Sequence, residues 1–165
     1  MHLFRMIVCL ALWTAALLAW PGAAVGGAKS DSKVKASIKA DKPGADGTQK
    51  IAITLAVDKG WYIYANPVRS EDFEPNETKV TLKAKGQLKY AVTYPPETEK
   101  TETIGKDTLK YRIYQDSVVI EARVQRTPGD ASPLQVKIDV NACSIGKDGK
   151  TAQCLLPGTI MLTVP

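Results

Sequence analysis

The chain has 165 residues, 22 Lys and Arg against 17 Asp and Glu, a formal charge of +5 and a single histidine, His2. The basic residues are scattered among acids, as in Glu97-Thr98-Glu99-Lys100, with no Lys/Arg run. That is the pattern of a solvated surface and argues against a nucleic-acid interface. With its only histidine at position 2, the body of the chain has no Ser-His-Asp triad, no Cys-His pair and no His-ligated metal site. No metal and no cofactor is expected.

The first segment reads as a secretory signal. Arg5 supplies the positive start, Met6 to Trp20 forms a 15-residue apolar core, and Pro21-Gly22-Ala23-Ala24 supplies a break and small residues. Cleavage after Ala24 is expected, or as late as Ala28, because a spanning helix needs about 20 apolar residues. Residues 25–33 read as a short polar tether. The remainder, 34–165, is long enough for one domain with its own core.

From there, period-2 alternation dominates. Val34, Ala36, Ile38 and Ala40 alternate with polar residues, then Ile51, Ile53, Leu55 and Val57 up to the turn Asp58-Lys59-Gly60. The aromatic run Gly60-Trp61-Tyr62-Ile63-Tyr64-Ala65-Asn66-Pro67 follows. As a strand it places Trp61 and Ile63 toward a core and Tyr62 and Tyr64 on the outer face, where a tyrosine can line a binding surface. Short runs follow at Val80–Leu82 and Leu88–Tyr94, then Val118–Val124 up to Thr127-Pro128-Gly129-Asp130. Val136, Ile138, Val140 and Ala142 lead into Cys143, and Ile160, Leu162 and Val164 close the chain. Seven or more such strands, with no sustained helical period, predict an all-β, immunoglobulin-like antiparallel β-sandwich.

Cys143 and Cys154 are the only cysteines beyond the leader, which holds Cys9. Ten residues lie between them, with Asp148-Gly149 as a hairpin signal in the middle. The alternating frame sets Cys143 off the apolar face of its strand, toward the surface. A bridge closing a loop of about 12 residues adds roughly 3 kcal/mol, which a domain of about 140 residues can do without. The pair is either a structural staple, as in a secreted immunoglobulin-like binding module, or a redox couple. Residue chemistry alone leaves both open.

The Gly60–Pro67 run, followed by Asn141-Ala142-Cys143 and then Cys154-Leu155-Leu156-Pro157, resembles the N-terminal periplasmic domain of the DsbD thiol:disulfide interchange family over about residues 34–164. The resemblance implies a sandwich whose Cys143 and Cys154 cycle between dithiol and disulfide. Cys154 would enter the mixed disulfide and Cys143 would resolve it. Tyr62 and Tyr64 would lie beside the pair. Glu102 to Lys106 would correspond to a loop shielding it, with Ile104 where the family has an aromatic. The implied activity is thiol-disulfide exchange, a protein-disulfide reductase component, outside the cytoplasm. The implied partners are a thioredoxin-like electron donor and a membrane thiol reductase on separate chains, and oxidised periplasmic thiol proteins.

Overall fold

The computed structural model describes residues 27–165. The leader 1–24 and its cleavage site at Ala24 therefore lie outside the described residues.

Among the described residues twelve strands form three sheets. The first is β1 (Val34–Ala40), β2 (Thr48–Val57), β8 (Ser117–Arg126) and β5 (Leu88–Thr93), in that order. The second is β12 (Gly158–Val164), β9 (Leu134–Val140) and β4 (Lys79–Lys83). The third runs β11 (Thr151–Cys154), β10 (Ala142–Ile145), β3 (Trp61–Tyr64), β7 (Asp107–Tyr114) and β6 (Thr98–Ile104). Every strand pairing is antiparallel.

Alternation explains the first two sheets. Ile51, Ile53 and Leu55 of β2 and Ile120, Ala122 and Val124 of β8 pack in one core with Val136, Ile138 and Val140 of β9. Lys50, Glu121 and Arg123 on the opposite parity face solvent. Ile53, Ile120 and Ile138 are wholly buried, each worth about 2–3 kcal/mol of apolar transfer.

The third sheet breaks the two-layer expectation. Ile63 of β3 and Ala142 of β10 belong to the main core, with Trp61 packed against it. The opposite face does not meet water. Tyr62, Tyr64 and Cys143 join Val68, Tyr111 and Ile113 in a second buried cluster. The sequence frame therefore assigns the faces of β3 correctly but their burial incorrectly. Tyr62 and Tyr64 are inside, whereas Trp61 is only half-buried, with the Lys33 ammonium 5.2 Å above its ring. The face is closed by the sheet's own curl, which turns Leu109, Tyr111 and Ile113 of β7 inward, and by Phe73 from the 3-10 helix Glu71–Asn76.

The segment read as a tether is also packed. Ser30, in the 3-10 turn Ser30–Lys33, is wholly buried. Its N–H and hydroxyl both donate to the Leu156 carbonyl, each at 2.8 Å, and the Ala142 N–H donates to its Oγ at 2.8 Å. Gly158 makes this docking possible. A Cβ at that position would collide with the Asp31 backbone nitrogen and carboxylate. Gly158→Ala is expected to cost about 2–3 kcal/mol, because the clash involves backbone that cannot rotate away. Urea unfolding measures it; a loss below about 0.5 kcal/mol, typical of a neutral surface change, would mean that the 30–33 turn is not fixed there.

Candidate functional site

Cys143 lies in β10 between two neighbours. On one side it is in register with Tyr62 of β3, and on the other with Cys154 of β11. The Leu155 N–H donates to the Ala142 carbonyl at 2.9 Å, which makes Cys143 and Cys154 a non-hydrogen-bonded antiparallel pair. Side chains approach most closely at such pairs, and the Cα atoms are 4.0 Å apart. The two residues are joined by a disulfide. The Asp148-Gly149 turn lies at the tip of this hairpin, with Gly149 at φ +77°.

The two sulfur-bearing residues are unequal. Cys143 has no exposed surface, whereas Cys154 sits on the edge strand and is exposed. The placement of Cys143 toward the surface is thus corrected: its face of β10 is covered by the second core. The Tyr64 hydroxyl reaches the Cys143 sulfur at 3.6 Å. In the disulfide that sulfur has no proton, so Tyr64 is the donor.

A hydrogen-bond network backs this pair. The Glu102 carboxylate accepts the Thr151 N–H at 2.7 Å, the Thr151 hydroxyl at 2.8 Å and the Tyr111 hydroxyl at 2.8 Å. Both of those hydroxyl protons are then committed to Glu102, so Tyr62 must donate in its 2.8 Å contact with Thr151 Oγ1. Lys100 adds a bond to the Gly149 carbonyl at 2.9 Å, and its ammonium lies 5.5 Å from the Tyr62 ring centre. Glu102 and Lys100 belong to β6, and Thr151 and Gly149 to β11 and its turn. β6 and β11 are the two edges of the five-stranded sheet, so the sheet curls until its edges meet.

Burial pushes the hydroxyls of Tyr62 and Tyr64 well above the ordinary phenol range, and that of Tyr111 up to about 12. All three remain protonated donors at physiological pH. For Glu102, burial pulls the other way from its partners. The Thr151 N–H and hydroxyl, the Tyr111 hydroxyl and the charge of Lys100 outweigh it and hold the carboxyl below its usual range.

Tyr62, Tyr64, Cys143 and Cys154 are thus brought together. Ile104 is the last residue of β6, its backbone paired with Asp107. The stretch 102–106 is not a loop but the end and turn of the β6–β7 hairpin. An aromatic does reach this region from elsewhere: Phe73 stacks on Tyr64 at 5.2 Å and packs tilted against Tyr111 at 4.6 Å between ring centres. Sequence reasoning missed Phe73, Tyr111 and Thr151, and placed Glu102 in a shielding loop rather than as the acceptor of this network. Only Tyr111 carries a signal, the Leu109-Tyr111-Ile113 alternation. Among the described residues no group of three or more His, Cys, Asp or Glu is placed to hold a metal ion.

Residues 31–157 match the sequence family described as thiol:disulfide interchange protein DsbD, N-terminal. Among solved structures the chain is similar to the N-terminal periplasmic domain of ScsB from Proteus mirabilis, with 15% identity and a TM-score of 0.50, covering 83% of this chain and 49% of that one. It thus spans about half of the ScsB chain. It is also similar to the reduced DsbD N-terminal domain of Neisseria meningitidis (9% identity, TM-score 0.49, 83% and 88% covered). The GAE domain of GGA2p from Saccharomyces cerevisiae is a third similar structure (12% identity, TM-score 0.46, 84% and 96% covered). No curated protein sequence matches significantly. The fold is the immunoglobulin-like antiparallel β-sandwich expected from the alternation.

Proposed function

The chain belongs to the family of DsbD N-terminal domains, and from that premise we propose that its Cys143–Cys154 pair relays reducing equivalents to oxidised proteins outside the cytoplasm. The observation that carries this reading is the inequality of the two cysteines. Exchange needs a thiolate to reach one sulfur in line with the departing one. Cys154 is exposed and Cys143 is not.

The cycle then balances as follows. A thiolate of a reduced, thioredoxin-like donor attacks the Cys154 sulfur. The Cys143–Cys154 bond breaks and Cys143 leaves as a thiolate, which the Tyr64 hydroxyl can stabilise from 3.6 Å. The donor's second thiol closes the donor disulfide and releases Cys154. Two electrons and two protons have been passed on. In the reverse sense, the Cys154 thiolate attacks a substrate disulfide, and Cys143 resolves the mixed disulfide by attacking the Cys154 sulfur. Tyr62 and Tyr64 position the pair, and β6, including Ile104, borders it. The partners in this proposal are that donor, a membrane thiol reductase that recharges it and the oxidised acceptor. The setting is the periplasm.

The reduction potential of the Cys143–Cys154 couple tests this against a purely structural bridge. A value above about −300 mV, within reach of thioredoxin-like dithiols, is expected. A value well below that would make the bridge structural and the domain a binding module.

A further inference from the structure

We infer that the far end of the four-stranded sheet holds a binding site for a small multivalent anion of the phosphate or sulfate type. The outward face of that sheet brings cations together without acids to match. Lys50 of β2 stands directly opposite Arg123 of β8, and Lys89 of β5 opposite Gln125 of β8. Beside them the loop after β1 contributes Lys42 and Asp41. These residues line one concavity of about 610 Å³, within the size range of small-ligand sites. Four cations and one carboxylate share it. None of the four takes part in the ion pairs found among the described residues. Like charges directly opposite each other destabilise a strand pair, and the one carboxylate in the concavity, Asp41, leaves most of that cost unmatched.

A second feature points the same way. Arg126, at the end of β8, is 3% exposed and has no carboxylate within ion-pair distance. Its Nη2 donates to Gln49 Oε1 at 2.7 Å and its Nη1 to the Ser132 carbonyl, but its Nε has no partner. Beyond ion-pair distance the Asp130 carboxyl, held low first by its Ser132 hydrogen bonds, also feels the Arg126 charge, and a buried cation so weakly compensated is expensive. Arg126 lines an adjoining concavity of about 570 Å³ that shares Lys89 and Gln125 with the first. Its side chain shares the inward parity of Ala122 and Val124, so its charge lies beneath the basic face that Lys50 and Arg123 present.

The chemistry selects the ligand class. The side-chain amides of Gln49 and Gln125 are committed to backbone carbonyls, so the available side-chain donors are the ammonium and guanidinium groups and the Tyr90 hydroxyl. A single carboxylate would leave most of the cations unneutralised. A ligand with two or more charges on several oxygens matches them through charge-assisted bonds. The site lies at the Thr48 end of β2, nine residues and about 30 Å from the Val57 end that leads into β3 and the disulfide. It is therefore independent of thiol exchange.

Calorimetric titration of the purified chain with sodium pyrophosphate tests the site. Saturable binding is expected, weakened about tenfold or more, 1.4 kcal/mol, in the double variant Lys50→Gln/Arg123→Gln and measurably in Lys42→Gln alone. The double variant Lys35→Gln/Lys39→Gln removes the same charge from β1, outside the concavity, and should bind within about twofold of the parent. Equal weakening in both double variants would reduce the effect to net charge and overturn the site. A parallel arm uses phosphatidylglycerol vesicles against phosphatidylcholine vesicles. Binding to the former that is lost in Lys50→Gln/Arg123→Gln identifies a lipid headgroup as the source of the phosphate. Pyrophosphate binding alone identifies a free ligand. Saturable binding to neither probe overturns the proposal.

Discussion

Cys143→Ala should accumulate a stable mixed disulfide with a thioredoxin-like partner or oxidised substrate through Cys154, while Cys154→Ala should form none and lose exchange entirely. The difference follows from access. A nucleophile attacking a disulfide must approach one sulfur along the bond axis. At Cys154 that approach starts from solvent on an edge strand. At Cys143 it is closed by the cluster of Tyr62, Tyr64, Val68 and Tyr111. With Cys143 removed, the Cys154 thiolate can still attack but nothing resolves the product. Alanine is the right replacement, because a serine hydroxyl would need a new partner inside a fully buried cluster. Both variants lose the bridge, so each should be less stable by roughly 3 kcal/mol for a loop of this size. That loss separates folding from exchange: stability falls in both, more in Cys143→Ala, which also empties a buried site, whereas trapping occurs only there. Non-reducing electrophoresis with mass spectrometry of the adduct reads the result. Trapping through Cys143 instead would reverse the assigned roles.

This inequality was only half legible in the chain. Alternation places Val136, Ile138, Val140 and Ala142 on one face and Cys143 on the other, and the structure agrees, since the first four belong to the main core and Cys143 to the second cluster. What alternation cannot report is whether the second face meets water. In a two-layer sandwich it does, as at Lys50 and Arg123. In the third sheet it does not, because the sheet's own curl and Phe73 close it. The same blind spot makes Tyr62 and Tyr64 look like surface residues.

The missed strands have different causes. β7 carries the ordinary signal in Leu109, Tyr111 and Ile113. β6, Thr98-Glu-Lys-Thr-Glu-Thr-Ile104, carries none, because all six of its residues with described side chains, 98–103, are polar and exposed or half-buried. It is held by its ladder to β7 and by Glu102 and Lys100 reaching β11. Side-chain bonds between residues 49 apart in the chain have no periodicity to betray them. The family resemblance supplied what the pattern lacked, namely that Cys143, Cys154 and the two tyrosines converge.

Glu102→Gln should open the sheet edge that Glu102 closes, and its effect should depend on pH in a defined sense. The carboxylate accepts three hydrogen bonds. An amide offers one acceptor oxygen and brings two donors that the Thr151 and Tyr111 hydroxyls must reorient to meet. Bonds to a charged acceptor are worth about 1.5–3 kcal/mol. A net loss of roughly 2 kcal/mol near pH 7 is expected, since Thr151 is only half-buried and water can replace part of what is lost. Because the Glu102 carboxyl is held below the ordinary value of 4.5 in the folded chain, its contribution is fully present above that value. It fades as pH falls through the lower folded value, where both states are protonated. The stability gap between parent and Glu102→Gln should therefore be constant from pH 7 down to about 5 and shrink below it. Comparing the two proteins is essential, because Asp46, Glu97, Asp130 and Asp139 are also held low and weaken the parent fold over the same acid range. The opened edge has a second consequence. Glu102 and Lys100 tie β6 to the strand and turn that carry Cys154, so in Glu102→Gln the amide protons of residues 151–154 should exchange faster while those of β2 and β8 remain protected. A gap that grows on acidification, or protection of 151–154 that is unchanged, would mean that pairing of β10 with β11 alone holds the cysteine hairpin in place.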